Sequence, residues 1–145
     1  MTTNPVFVAY VLTTAVLGLN LIVLANATAG TRAKANEVIN PEDKRLNQAA
    51  EVVFEGGNDT TARWRRAHRN ALENIPLFLV TGFLLTLTGT STTMAYALYG
   101  VFVAARLLHS VAYIKQVQPW RTIGFAIGAL DQTVLLGVLV YQVLA

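Results

Sequence analysis

Arg63-Trp64-Arg65-Arg66-Ala67-His68-Arg69-Asn70-Ala71-Leu72-Glu73-Asn74-Ile75-Pro76 drives a dense polar cluster straight into a run of lipid-grade apolar residues. In a helix, Arg66, Arg69, Asn70 and Glu73 fall at spacings of three, four and seven and share one face. Desolvating so many charges and amides is costly unless they pair with one another or with a ligand. A polar face at membrane depth is therefore a site hypothesis by default.

The surrounding chain supplies the membrane. Of its 145 residues 54% are hydrophobic and only 13% are charged, and the apolar stretches are Pro5 to Ala29, Ile75 to Thr88, Met94 to Ile114 and Ile123 to Ala145. A helix of roughly 20 residues spans a hydrocarbon core of about 30 Å. The second stretch reaches that length once the helix is begun at Ala62, which places its first turns among headgroups and the polar cluster in its interior. These patterns predict an all-α integral membrane four-helix bundle in one transmembrane domain, 1–145. Its helices are expected at about 5–34, 62–89, 92–115 and 119–145, with a loop at about 35–61. No basic stretch precedes the first apolar run, which is too long for a cleavable signal, so it reads as a retained helix.

Charge distribution orients the bundle. Arg32, Lys34, Lys44, Arg45, Arg63, Arg65, Arg66 and Arg69 lie in or beside the first connection, and Lys115 and Arg121 flank the third. The Gly89 to Thr93 turn carries no charge. The positive-inside rule puts the first and third connections in the cytoplasm and both termini on the other side. The net charge of +3 suits anionic headgroups or an anionic ligand. Basic residues confined to membrane boundaries leave no nucleic-acid footprint. With no cysteine, disulfides and thiolate nucleophiles of the protein's own are excluded, and two histidines make a poor metal-ligand set.

Asn40-Pro41-Glu42-Asp43 has the form of a helix start, with Asn as cap, Pro at the first helical position and acids in the first turn. A short interfacial helix is expected from there to Gly56-Gly57, and Asp59, Thr60 or Thr61 is expected to cap the second membrane helix. In the third helix Arg106, His109, Ser110 and Tyr113 repeat the spacing of the second-helix cluster. Arg106 precedes Lys115 by nine residues, while Glu73 follows Arg63 and Asp131 follows Arg121 by ten. At 1.5 Å per residue all three lie about 14 to 15 Å inward, so one layer containing Arg106 and an acidic counter-ion is expected. Arg63, Arg65 and Trp64 read as interfacial anchors, His68 as a structural group off the polar face, and Gly82, Gly100, Gly124 and Gly128 as helix-packing positions.

Arg66-Ala67-His68-Arg69-Asn70 followed by Glu73-Asn74-Ile75-Pro76 closely resembles the signature of the membrane-associated proteins in eicosanoid and glutathione metabolism, particularly the microsomal glutathione transferase and prostaglandin E synthase branch. Asn40-Pro41-Glu42-Asp43 is similar to that family's first-loop motif, the Arg106, His109, Tyr113 stripe to its third helix, and Arg121 to the functional Arg that begins its fourth. The resemblance implies a homotrimer with glutathione held between subunits near the cytoplasmic side. It makes Arg32, Arg66, Arg69, Asn70, Glu73, His109, Tyr113 and Arg121 the expected glutathione contacts.

The chemistry of the ligand is consistent with that set. Two carboxylates call for guanidinium forks and an ammonium calls for a carboxylate such as Glu73. The thiol, with an ordinary pKa of about 8.5, needs a cation or hydroxyl to ionise it, and Arg121 with Thr122 are the candidates. Where the prostaglandin synthase pattern has Ser and then Tyr one turn later, this chain has Thr122 and Phe125. The implied activity is therefore conjugation of glutathione to a hydrophobic electrophile or reduction of a lipid hydroperoxide, not isomerisation. The alternative is a non-enzymatic lipid-binding or scaffold relative, which would have no use for a thiol-activating Arg.

Overall fold

The computed structural model describes residues 4–144. Four long helices run Pro5–Lys34 (α1), Asp59–Leu85 (α2), Thr92–Lys115 (α3) and Trp120–Leu144 (α4). Each of the first three starts where its sequence supplies a cap. The Asn4 side chain accepts from the Val6 and Phe7 amides ahead of Pro5, Asn58 from Thr60 and Thr61, and Ser91 from Met94. Gln116 turns left-handed at φ 63° and closes the carbonyl end of α3, its N–H donating to Ala112 and Tyr113.

By length and composition α1, α3 and α4 are apolar enough to cross a membrane. The charged first half of α2 keeps it out of that set, yet α2 packs against all three others. It begins at Asp59, three residues earlier than expected, because the cap is Asn58. It also stops at Leu85, short of residue 89. There the Thr86 and Thr88 hydroxyls take the carbonyls of Phe83 at 2.7 Å and Leu85 at 2.9 Å, offering the backbone an alternative to further helix.

The long connection differs from expectation. Asn40 and Asp43 do form a capping box, but the helix they open is a single 3-10 turn, Pro41–Arg45, that ends well before Gly56. Beyond it Glu51–Val52 (β2) pairs in parallel with Glu37–Val38 (β1). The β-branched Val52-Val53 pair favours extended backbone and makes this small bridge the better option. Gly57, at φ 84°, lets the chain pass close to Glu37, whose carboxylate accepts from the Asn58 backbone N–H at 2.6 Å and so ties the loop to the start of α2.

The core lies among α1, α2 and α3 and continues into α4 through Leu135 and Leu139. Phe78 and Phe102 stack with ring centroids 3.8 Å apart, and the hydroxyls of Tyr10 and Tyr99 donate to the carbonyls of Leu79 and Gly82 on α2. Trp64, expected as an interfacial belt residue, packs partly against this core. α3 and α4 touch backbone to backbone at Gly124, where an added Cβ would stand 2.9 Å from the His109 nitrogen and 3.0 Å from the Ala105 carbonyl oxygen. Neither atom can yield without moving a helix. Gly124→Ala is therefore expected to cost about 1–3 kcal/mol or more, read as a lower thermal midpoint of the detergent-solubilised protein. An unchanged midpoint would contradict this packing.

Candidate functional site

The polar residues gather in two clusters at the end of the bundle that carries the long loop. On α2 the small and apolar residues Ala67, Ala71, Ile75 and Phe78 face the core, which turns Arg66, Arg69 and Glu73 outward. Arg69 Nε donates to Glu73 at 3.1 Å across one turn, with both side chains exposed. Asn70 lies half-buried, and its Oδ1 is buried without a partner. A cleft of about 500 Å³ opens beside this face, lined by Phe54, Glu55, Gly56, Ala62, Arg65, Arg66 and Arg69. Arg65, read from sequence as an interfacial anchor, belongs to this cleft and donates to the Phe54 carbonyl at 3.3 Å. The signal for it was its spacing of four from Arg69. Arg32 at the end of α1 is half-buried, with Nε lacking a partner.

The second cluster joins α3 to the start of α4. His109 is buried, and its Nδ1 lies 2.8 Å from the Arg121 carbonyl oxygen. A carbonyl only accepts, so Nδ1 carries the proton and Nε2, buried and unpartnered, is the free nitrogen. The Tyr113 ring meets His109 edge-on at 5.5 Å, and the Arg121 guanidinium lies over the same Tyr113 ring at 5.0 Å. With its amide oxygen turned to the guanidinium, Gln118 accepts from Arg121 Nη2 at 2.7 Å and Nε at 3.2 Å, and its nitrogen donates to Thr122 Oγ1 at 3.1 Å. Gln118, absent from the sequence reading because nothing in its neighbourhood marks it, thus sets the direction of both Arg121 and Thr122. Ser110, buried with Arg106 and His109 on α3, accepts from Asn20 of α1 at 3.2 Å.

The expected layer of Glu73, Arg106 and Asp131 does not form. Glu73 is outside the bundle with Arg69, the one ion pair among the described residues. Arg106 points inward between the rings of Phe102 and Phe125 and donates through Nη2 to the carbonyls of Gly124 at 2.9 Å and Phe125 at 3.2 Å. Residue offsets address only the rise along each helix, whereas the rotation of the helix is decided by which face packs, and α2 packs with its small apolar face. Among the described residues no three His, Asp or Glu side chains are grouped to hold a metal ion.

No hydrogen bond or ion pair among the described residues links the α2 cluster to the α3–α4 cluster. The two present complementary chemistry: guanidinium forks with a carboxylate on one, a guanidinium with a hydroxyl on the other.

The model of the MAPEG family matches residues 10–141. The chain belongs to the MAPEG family. Microsomal glutathione S-transferase 1 of Bos taurus is 35% identical over 128 residues, covering 86% of this chain and 83% of the relative. The Rattus norvegicus protein of the same name is 34% identical over the same shares. Prostaglandin E synthase of Macaca fascicularis is 28% identical over 128 residues, 88% of this chain and 83% of the relative. Membership in MAPEG, with the three long apolar helices, makes this a membrane protein of four helices.

Proposed function

We propose that this MAPEG protein is a membrane-bound glutathione transferase that conjugates glutathione to hydrophobic electrophiles or uses it to reduce lipid hydroperoxides. The observation that carries the reading is the outward polar face of α2. Arg66, Arg69 and Glu73 are exposed on one side of α2, with Asn70 half-buried between them and its Oδ1 unpartnered, and a charged face at the membrane depth read from the sequence needs a polar partner. A homotrimer with glutathione lodged at the subunit contact supplies it. The α2 cluster of one subunit would face the Arg121 cluster of a neighbour, with Arg32 at the edge.

In this arrangement Arg66 and Arg69 hold the glutathione carboxylates as forked ion pairs, Glu73 takes the ammonium, and the buried Asn70 carbonyl oxygen finds a donor in the peptide. Tyr113 and His109 wall the thiol end. Arg121, aimed by Gln118 and sited in the first turn of α4, adds its charge to the positive helix terminus, and both favour thiolate over thiol. The thiolate then attacks an electrophilic carbon and expels its leaving group, or attacks a peroxide oxygen, breaking the O–O bond to give the alcohol and glutathione sulfenic acid, which condenses with a second glutathione to the disulfide and water. Thr122 would supply a hydroxyl donor to the leaving oxygen. The positive-inside pattern puts this end of the bundle in the cytoplasm. The lipid-binding alternative gives no role to an Arg121 aimed by its own amide brace. Bovine and rat relatives bear the name glutathione S-transferase, while Phe125 removes a hydroxyl of the prostaglandin synthase pattern, which favours transfer over isomerisation.

The test is turnover by purified protein in lipid with glutathione and, separately, a generic aromatic electrophile and a lipid hydroperoxide. Consumption of glutathione with either is expected. Saturable lipid binding without turnover of either would favour the non-enzymatic reading.

A further inference from the structure

The guanidinium of Arg106 is 2% exposed, and its Nη2 bonds to carbonyls leave Nε and Nη1 buried without partners. Two carbonyl dipoles do not neutralise a cation that keeps its proton at any working pH, and a lone charge in the bundle interior is strongly unfavourable. The helices offer few acids. α1 and α3 contain none, α2 has Asp59 in its first turn and Glu73 committed to Arg69 outside, and α4 has Asp131 alone. Asp131 is 7% exposed, with Oδ2 buried and unpartnered.

Its place in the fold is adjacent. Gly128 lies against the Arg106 side chain so closely that an added Cβ would be 2.7 Å from Nε, and Asp131 follows Gly128 by three residues on the same buried face of α4, a rise of about 4.5 Å. From the other side of Arg106, His109 is one turn along α3, its Nε2 also buried and unpartnered and its ring against Phe125 at 6.0 Å. α1 and α2 bring only neutral groups to this level: Asn20 bonds Ser110, and Thr81 accepts from Gln132 at 3.0 Å. No ion pair joins Arg106 to Asp131 directly, and the unpartnered donors and acceptors on these facing stretches of α3 and α4 form the kind of polar surround that holds a buried water through two to four contacts.

We propose that Asp131 is the ionised counter-charge of Arg106, joined to it through buried water in the α3–α4 seam, and that this pair is a positioning device for His109 and Arg121 at the site. The second half rests on the glutathione reading above; the first does not. Arg106 clamps the α4 backbone at Gly124 and Phe125, three and four residues past Arg121, while His109 holds the Arg121 carbonyl. Loss of the counter-charge therefore loosens the clamp next to the glutathione end.

The test uses the full chain in lipid nanodiscs as wild type, Asp131→Asn, Arg106→Gln, the double variant, and Arg106→Lys. Infrared difference spectra report a protonated carboxyl by its C=O stretch, and calorimetry reports glutathione affinity. The wild type and Arg106→Lys are expected to lack a buried carboxyl band. Arg106→Gln should show one that vanishes in the double variant, because Asp131 takes a proton when its cation is gone. If Arg106→Gln fails to fold, the wild type and Arg106→Lys spectra against Asp131→Asn still decide, since a band present in wild type and lost in Asp131→Asn overturns the pair. For positioning, Asp131→Asn should weaken glutathione about 10-fold, with the double variant no weaker than the worse single. Losses that multiply would overturn coupling. A wild type that binds no glutathione would fail the functional reading while leaving the infrared result intact.

Discussion

Arg121→Ala is expected to lower turnover by about 10²–10³-fold while changing glutathione affinity by only a few-fold, because in the proposed reaction its guanidinium would act on charge that develops at sulfur and not on the resting tripeptide. Three observations support that proposed role. It stands in the first turn of α4, it is directed by two contacts to the Gln118 amide, and the Tyr113 ring supports it from one side at 5.0 Å. Removing it takes away the local cation but leaves the helix terminus and the α2 cluster, so binding persists. Steady-state rates with glutathione varied at saturating electrophile separate the two effects. Equal losses in affinity and in the chemical step would make Arg121 a plain carboxylate anchor.

Arg69→Ala and Glu73→Ala are expected to do the reverse. On the surface of the chain an exposed pair one turn apart is worth about 0.3–0.5 kcal/mol, so neither variant should change thermal stability much. Enclosed against a bound tripeptide, each group becomes a desolvated charge pair with the ligand, and truncation should cost about 2 to 5 kcal/mol of glutathione affinity. Such a split between stability and binding would not arise from a structural ion pair. Calorimetric titration beside a thermal melt reads both quantities, and undiminished affinity in folded variants would remove α2 from the site.

The sequence is legible where one physical signal decides the outcome. Length and hydropathy alone mark the spans, and spacing alone puts Arg66, Arg69 and Glu73 on one face, because both depend only on the geometry of a single helix. What sequence does not carry is rotation. Offsets along a helix say nothing of which way a residue faces: Ala67 and Ala71 pack inward and carry Glu73 to the outside, so the layer with Arg106 and Asp131 is not formed. The loop was misjudged for a different reason. Its capping box at Asn40 is a local signal for helix, and the Val52-Val53 run outweighs it a few residues later with a strand bridge. Arg65 reads from sequence as an anchor and Gln118 carries no signal, because each acts through a partner that spacing does not mark: one through the Phe54 carbonyl across the loop, the other through Arg121 and Thr122.

Ultraviolet titration of the thiolate of glutathione bound to the wild-type protein tests the account most directly. A free thiol ionises with a pKa of about 8.5. With Arg121 and the α4 terminus beside the sulfur, thiolate absorbance of the complex should appear at clearly lower pH and should move back toward the free value in Arg121→Ala. Bound glutathione that titrates like the free tripeptide in the wild-type protein would contradict an arginine-stabilised thiolate.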